Sequence, residues 1–364
     1  MKRKPHNDDS PKAYFIALGE SSSPEEMAAA AERLWETMNL DRIISANALV
    51  AIKQHFGEKG STNFIPPAVA RAVGRLVRQA GGKPFATDSN TLYNGMRANA
   101  VDHLEVARRH GFSHETLGFP VIIADGLKGE SQVTLDTAGP ALRHVFLAGA
   151  GYMADAAIVL THVTGHLAAG LGASVKNVAM GMAGRAGKLQ QHHAAEPIFY
   201  EGKCKACGLC AKHCPANAIT VNEFAVLDPK RCIGCGECYA FCPYGAVGFD
   251  WSTTSTDLQR KMAEYCLAFH TEKAGRVAYL NFLTRVTKNC DCLGLSSESP
   301  LPDVGVVGSF DPVAADAAAV DLLDRQHGKD VFAEFWPECA HRTQLAHGVR
   351  IGLGSTEYEL VRVE

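Results

Sequence analysis

The sequence predicts an α/β domain with a mainly parallel sheet, interrupted by a small α+β module rich in cysteine. Strand-like apolar runs alternate with helix-like segments from about residue 24 to 162 and again after about residue 251. Between them the line C-x2-C-x2-C-x3-C-P is written twice, at 204–215 and 232–243. Alternation of the two periods implies parallel strands joined by crossover helices. The cysteine lines break that pattern and read as an insertion.

Taken in order, "SSSPEEMAAAAERLWETM" predicts a helix, with Ser23 as N-cap, Pro24 in the first turn and Glu26 closing a capping box. "ALVAIK" (48–53) reads as a buried strand, 66–82 as a helix stopped by glycine, and "KPFATD" (83–88) as a strand. A helix near 98–110, the strand "PVIIAD" (120–125), a helix around 137–150 and the strand "AAIVLTH" (156–162) follow. After the cysteine block, 255–273 is helical, "RVAYLNFL" (276–283) is a strand, and 303–328 is a strand followed by a helix. The expected boundaries are 1–186 for the first part of the α/β host, 187–252 for the insertion and 253–364 for the second part.

Bulk properties narrow the function. At 364 residues the chain has ample length for a buried core, so its twelve cysteines are not required as staples. Thirty-six basic and thirty-nine acidic residues give a net charge of −3, which argues against nucleic acid or a membrane surface as a partner. The most apolar region, 145–182, is interrupted by Asp155, His162, His166 and Lys176, short of the roughly 20 residues a membrane span needs. The start is basic without a following apolar stretch, so the expected location is the cytoplasm.

Cysteines spaced by two can place three thiolates around one cuboidal iron–sulfur cluster, while the fourth, before proline, lies too far along to close the same one comfortably. Zinc is the rival, but zinc ribbons separate their pairs by a longer spacer. Residues 201–250 resemble a bacterial two-cluster 4Fe-4S ferredoxin. That resemblance implies crossed ligation: Cys204, Cys207, Cys210 and Cys242 on one cluster, and Cys214, Cys232, Cys235 and Cys238 on the other. Ala206, Gly208, Gly234 and Gly236 are small enough for close backbone approach, and Ile219, Val221, Phe224, Val226, Val247 and Phe249 would supply an apolar shell.

The flanking segments "VAIKQHFGEKGSTNFIPP", "DSNTLYNGMRANAVDHLEVARRHGF", "GHLAAGLGASVKNVAMGMAGRAGKLQQHH", "CDC" (290–292) and "DVGVVGSFDPVAADAAAVDLL" resemble the iron–sulfur members of the domain-of-unknown-function 362 family. The resemblance implies a host domain with an inserted ferredoxin and assigns no reaction. In open α/β sheets ligands sit beyond the carboxyl ends of the strands, where this sequence puts Lys53, Asp88, Asp125, His162 and Asp311. Each also has an ordinary reading, Asp311 before Pro312 being a plain helix cap. The glycine-rich stretch 172–193 adds Lys176, Asn177, Arg185, Lys188, His192 and His193, cations suited to an anionic group.

Cys290 and Cys292 flank an aspartate at another sheet end and are candidate ligands of an additional metal ion, with His192 or His162 as a third ligand, or else a redox-active thiol pair. Their i, i+2 spacing makes an internal disulfide strained, which disfavours the thiol-pair reading. Cys266 and Cys339 read as structural. The expectation is therefore a cytoplasmic iron–sulfur oxidoreductase of unknown substrate. Its two 4Fe-4S clusters would accept electrons from a redox partner protein and pass them to a pocket where Lys53, His162, Lys176, Lys188 and His192 bind or protonate an anionic small molecule. The alternative is a non-enzymatic electron carrier or metal-binding protein whose host domain is a docking body.

Overall fold

The computed structural model describes all residues except 1–9, 93–94, 138, 193–196, 215, 233–235, 249–253 and 295–298, with only the backbone of Ala240. Cys235, Gly234, His193 and Phe249 thus lie outside the described residues. The first part alternates through β1 (Lys12–Ala17), α1 (Pro24–Met38), β2 (Leu49–Lys53), α2 (Pro67–Gln79), β3 (Lys83–Asp88), α3 (Ala100–Arg109), the single turn α4 (His114–Leu117) and β4 (Val121–Ile123). Ser23 and Glu26 close the capping box of α1 in both directions, which fixes where that helix starts.

A hairpin of β5 (Gln132–Asp136) and β6 (His144–Ala148) and the short α5 (Gly149–Met153) then precede β7 (Ala156–His162). The helix expected around 137–150 is absent, since β6 pairs antiparallel with β5, Leu147 opposite Val133. Its run "HVFLA" is too short for periodicity to separate strand from helix, and Gly139 and Pro140 ahead of it favour a turn. A second small hairpin, β8 (Thr164–His166) and β9 (Gly170–Gly172), leads into α6 (Ser174–Gly181) and α7 (Arg185–His192). The boundary expected at residue 187 falls inside α7.

The cysteine-rich stretch consists of short pieces: β10 (Ile198–Phe199), α8 (Leu209–Lys212), β11 (Ile219–Val221), β12 (Ala225–Leu227), α9 (Glu237–Ala240) and β13 (Val247–Gly248). The strands pair as β10 with β13 and β11 with β12, both antiparallel. After it come α10 (Ser255–Glu272), β14 (Val277–Leu283), β15 (Gly305–Ser309), α11 (Pro312–His327), α12 (Val331–Phe335), α13 (Thr343–Arg350) and β16 (Glu359–Arg362).

One eight-stranded sheet organises the host, in the order β16-β1-β15-β14-β7-β2-β3-β4. Its pairings are parallel except the two that flank β15. The central β14 and β7 are buried along their whole length, as their near-continuous apolar sequences require. Side chains alternate between two covered faces. Val50 and Ile52 pack with Leu34 of α1 and Val73 of α2, whereas Ala51 packs with Val178 of α6 and Met262 of α10. Phe15 of β1 meets Leu323 of α11.

Because β15 runs against its neighbours, its carboxyl end lies at the opposite edge from those of β2, β3, β7 and β14. Asp311 is therefore away from the ligand end that the sequence had assigned it. Its carboxylate instead caps α11, accepting from Val313 and Ala314 at 2.8 and 2.9 Å, and takes a third bond from Ser355 at 2.9 Å. Among the described residues no helix is long and apolar enough to cross a membrane.

Asp316, fully buried on α11, accepts from the amides of Ser174 and Val175 at the start of α6 and from Asn281 of β14, at 2.8, 2.9 and 2.8 Å. It thereby ties three elements that share no local sequence. We expect Asp316→Ala to leave two amides and an amide side chain buried without an acceptor and to lower unfolding free energy by about 3 kcal/mol or more in a denaturant titration.

Candidate functional site

Parallel pairing brings the ends of β2, β3, β7 and β14 to one edge of the sheet. Lys53, Asp88 and His162 are the last residues of their strands, and the chain leaving β14 turns back to Cys290–Cys292. Helices α6 and α7 cross above that edge. The result is one cavity lined by Lys53, His162, Lys176, Lys188 and His192, together with Asp88, Arg97, His166 and Asp291.

Lys53 is 1% exposed and pairs with Asp88 at 3.2 Å, while donating to the side-chain carbonyl of Asn177 at 2.6 Å. Burial lowers the Lys53 ammonium, and Asp88 offsets part of that. Burial pushes the Asp88 carboxyl up, but Lys53 and Arg97 outweigh it and hold Asp88 below its ordinary range. Arg97 completes the chain of charges, 3.4 Å from Asp88 and 3.2 Å from Glu58.

Lys188 donates to Ser89 and to the carbonyl of Ala183, at 2.6 and 2.7 Å, with Asp125 3.7 Å away. Burial brings it down to about 8 against the pull of Asp125. Lys176 is brought to about 8 in the same way, Asp291 opposing. Unlike the others, Lys176 has no hydrogen bond or ion pair among the described residues. It is the spare cation of the cavity.

His162 differs from its neighbours. Nδ1 faces the Asp291 carboxylate at 2.8 Å and Nε2 faces the carbonyls of Thr284 and Arg285 at 3.0 and 3.2 Å. Three acceptors around two ring nitrogens require both to carry protons. Burial disfavours that imidazolium, but Asp291 and the carbonyls prevail and its pKa is raised. With both nitrogens engaged, His162 positions Asp291 and offers a metal no lone pair.

The third ligand expected beside Cys290 and Cys292 is thus not His162. A ring nitrogen of His166 and the two sulfurs lie within 4.8 Å of one another, a group able to hold a metal. The structure also joins Cys290 and Cys292 in a disulfide, which their spacing had argued against. A 3-10 turn at Asp291–Leu293 sets their Cα atoms 5.3 Å apart.

In the cysteine-rich stretch, Cys204, Cys207, Cys210 and Cys242 line one cavity with Gly208 and Ala246. Backbone amides donate to sulfur: Ala206 to Cys204 at 3.5 Å, Ala218 to Cys214 at 3.2 Å and Ala246 to Cys242 at 3.3 Å. Gly208 and Gly236 hold left-handed backbone at φ 77° and 73° where α8 and α9 begin. Cys210 and Cys238 are buried and Cys214 and Cys232 partly so. Of the expected apolar shell, Ile219 and Val247 are buried, whereas Val226 is exposed. Cys266 and Cys339 are buried in the host, the latter donating to Leu167.

One helix joins the two regions. Lys188 and His192 of α7 line the host cavity, and Leu189 between them packs with cavity-lining Leu92 and with Tyr239 of α9. A methyl on Gly236 would sit 1.5 Å from Leu189 Cδ1, so the cysteine-rich backbone approaches α7 as closely as glycine allows. Sequence reasoning missed Arg97, His166 and His55, which also lines the cavity. The signals were there: His55 lies two residues past Lys53, and His166 four past His162.

The family model described as "Domain of unknown function (DUF362)" matches residues 50–321. No curated protein matches this chain. A crystal structure of a protein from Thermotoga maritima aligns with TM-score 0.46 and 11% identity, over 84% of this chain and 60% of that one. The lactate racemase apoprotein from Thermoanaerobacterium thermosaccharolyticum aligns with TM-score 0.42 and 11% identity, over 82% of this chain and 54% of that one. This chain spans less than two thirds of either.

The His162–Asp291 pair gives a pH signature. A folded pKa above the unfolded value of about 6.5 contributes stability that is complete below that value and is lost as pH rises through the folded one. Asp291→Asn removes it, along with a buried pair worth about 3–5 kcal/mol when broken. Urea titrations of both proteins from about pH 5.5 to about pH 9 should show a gap that is widest at the acid end; a gap that widens toward alkaline pH contradicts the assignment.

Proposed function

The chain belongs to the DUF362 family, and we propose that it is an iron–sulfur redox protein whose two 4Fe-4S clusters relay electrons to the host cavity for the reduction of an anionic small molecule. Cys204, Cys207, Cys210 and Cys242 would hold one cluster, and Cys214, Cys232, Cys238 and Cys235 the other. The chain's own chemistry suits the group: thiol donors gathered around one cavity, with amides aimed at sulfur. Bound there, each cluster stores and releases one electron.

The observation that carries the reading is helix α7, one helix with charged side chains in the cavity and Leu189 against the cysteine-rich backbone. Electrons arriving through Tyr239 and Leu189 would be delivered beside Lys188 and Leu92. Cys207 is exposed, and in this reading a redox partner protein would dock at the first cysteine set. In the cavity, Lys176 binds the anionic group, since Lys53, Arg97, Lys188 and His162 already face Asp88, Glu58, Asp125 or Asp291. Lys53 and Lys188 set the local potential. A second reading has one observation in its favour, the His166, Cys290 and Cys292 group, which with its disulfide opened would make the protein a metal binder.

Anaerobic purification with iron and sulfide analysis tests the main reading. About eight irons per chain are expected, falling to about four in each of Cys204→Ala and Cys232→Ala. Iron-poor, colourless protein carrying zinc instead removes the relay altogether.

A further inference from the structure

The Cys290–Cys292 disulfide lines the host cavity, yet little of the fold depends on it. It closes a ring of only three residues, the loop length at which a cross-link constrains the unfolded chain least. The turn that carries it is held by other means. The Asp291 carbonyl accepts from the Glu58 amide at 3.0 Å, its carboxylate pairs with His162 at 2.8 Å, and the Thr287 carbonyl accepts from Gly165 at 2.8 Å. A bond that is dispensable to the scaffold and faces a cavity is placed for reaction.

His166 decides between the two chemistries open to the sulfurs. Its Nδ1 accepts from the amides of Ala168 and Ala169 at 3.2 and 3.1 Å, which fixes the proton of the neutral ring on Nε2. Neutral imidazole has one lone pair available to a metal, and here two amides already use it. Ligation would need those bonds broken. Redox chemistry at sulfur needs no change.

We propose that Cys290 and Cys292 are the two-electron terminus of the cavity, a disulfide–dithiol couple that collects single electrons and hands them on in pairs. The proposal rests on the relay reading for its source of electrons. With a cluster held by each cysteine set, two one-electron deliveries would reach the S–S bond; it would break, and each sulfur would take one proton from water admitted to the cavity. The reverse step, with the dithiol returning to the disulfide, gives two electrons and two protons to a substrate seated on Lys176. The substrate class is therefore an anionic two-electron acceptor, with a carboxylate-bearing disulfide as the simplest member: its S–S bond is cleaved to two thiols as the protein bond re-forms.

The test uses the full chain, prepared anaerobically with its iron measured. Titration with titanium(III) citrate, a one-electron reductant, should consume about four electrons per chain, two for the clusters and two for the couple, and about two in Cys290→Ser with iron unchanged. Alkylation before and after reduction, followed by trypsin, reads the same event chemically. The peptide 289–325 contains no other cysteine, and should go from no label to two. Clusters that take up electrons while this peptide stays unlabelled, or an uptake of about two in both proteins, overturn the couple and leave the relay standing. A peptide labelled twice before any reductant, with stoichiometric zinc lost in His166→Ala, replaces it by a metal site. Protein without iron overturns both readings.

Discussion

A lysine buried at the end of a strand, with its ammonium nitrogen facing one carboxylate and one amide, is the constraint around which this molecule is arranged. Removing such an ion from water costs several kcal/mol unless its partners are fixed in place. Lys53 has Asp88 from the adjacent strand and Asn177 from α6, and Asn177 is itself held by the carbonyl of Leu160 and the hydroxyl of Thr161 on β7. The helix must also pass very close: a methyl on Gly181 would lie 1.9 Å from Lys53 Cε. The placement of α6 is in turn set from the far side by Asp316 of α11. One charge at residue 53 thus depends on segments up to residue 316. Neither part of the host on either side of the cysteine-rich stretch supplies the cavity alone.

That dependence explains why the cysteine-rich stretch can interrupt the chain without separating the host. It enters after α7 and leaves before α10, two helices that meet through Tyr265, whose hydroxyl donates to the side-chain carbonyl of Gln190 at 2.5 Å, while Lys261 donates to the Gln190 backbone carbonyl at 3.0 Å. Gly187 packs against the same Tyr265. The helices on either side of the stretch are therefore joined to each other, and α7 presents charged residues to the cavity and Leu189 to Tyr239 and Gly236. The repeat is visible in space too, because Gly208, Cys214 and Ala218 have their counterparts 28 residues later in Gly236, Cys242 and Ala246.

Much of the host could be read from local pattern alone. Strands β2, β3, β7 and β14 are apolar runs with clear edges, and Lys53, Asp88 and His162 stand at their ends because a buried parallel strand tolerates charge only where it leaves the sheet. What escaped was information carried by distant pairing. The reversal of β15 is decided by its neighbours β14 and β1, so Asp311 could not be sent to the correct edge from its own sequence. The short β6 has the composition of a helix or a strand and takes its form from β5. Arg97 lies in a loop without periodicity, and only the fold shows that its guanidinium reaches Asp88. The 290–292 bond was discounted from spacing, and the turn that shortens its span is set by contacts to Glu58 and His162.

The charges around the cavity also have a bearing on how electrons and protons would move together. Adding an electron to a buried site is opposed by the low dielectric unless positive charge or a proton accompanies it. Lys176 and Lys188, both brought to about 8, remain mostly protonated near neutral pH yet release a proton at far less cost than an exposed lysine. His162 has both ring nitrogens turned to acceptors, Asp291 on one side and the carbonyls beyond β14 on the other, which raises its pKa and favours its positive form. The cavity therefore separates two roles: a positive background from Arg97, with His162 biased toward its charged form, and a mobile reserve in two lysines, of which Lys176 is the uncommitted one. In the proposed reduction, an anion arriving at Lys176 would raise that lysine's affinity for its proton, and its departure as product would lower it again. Proton uptake and release at that ammonium would thus follow substrate arrival and product departure without any movement of the backbone.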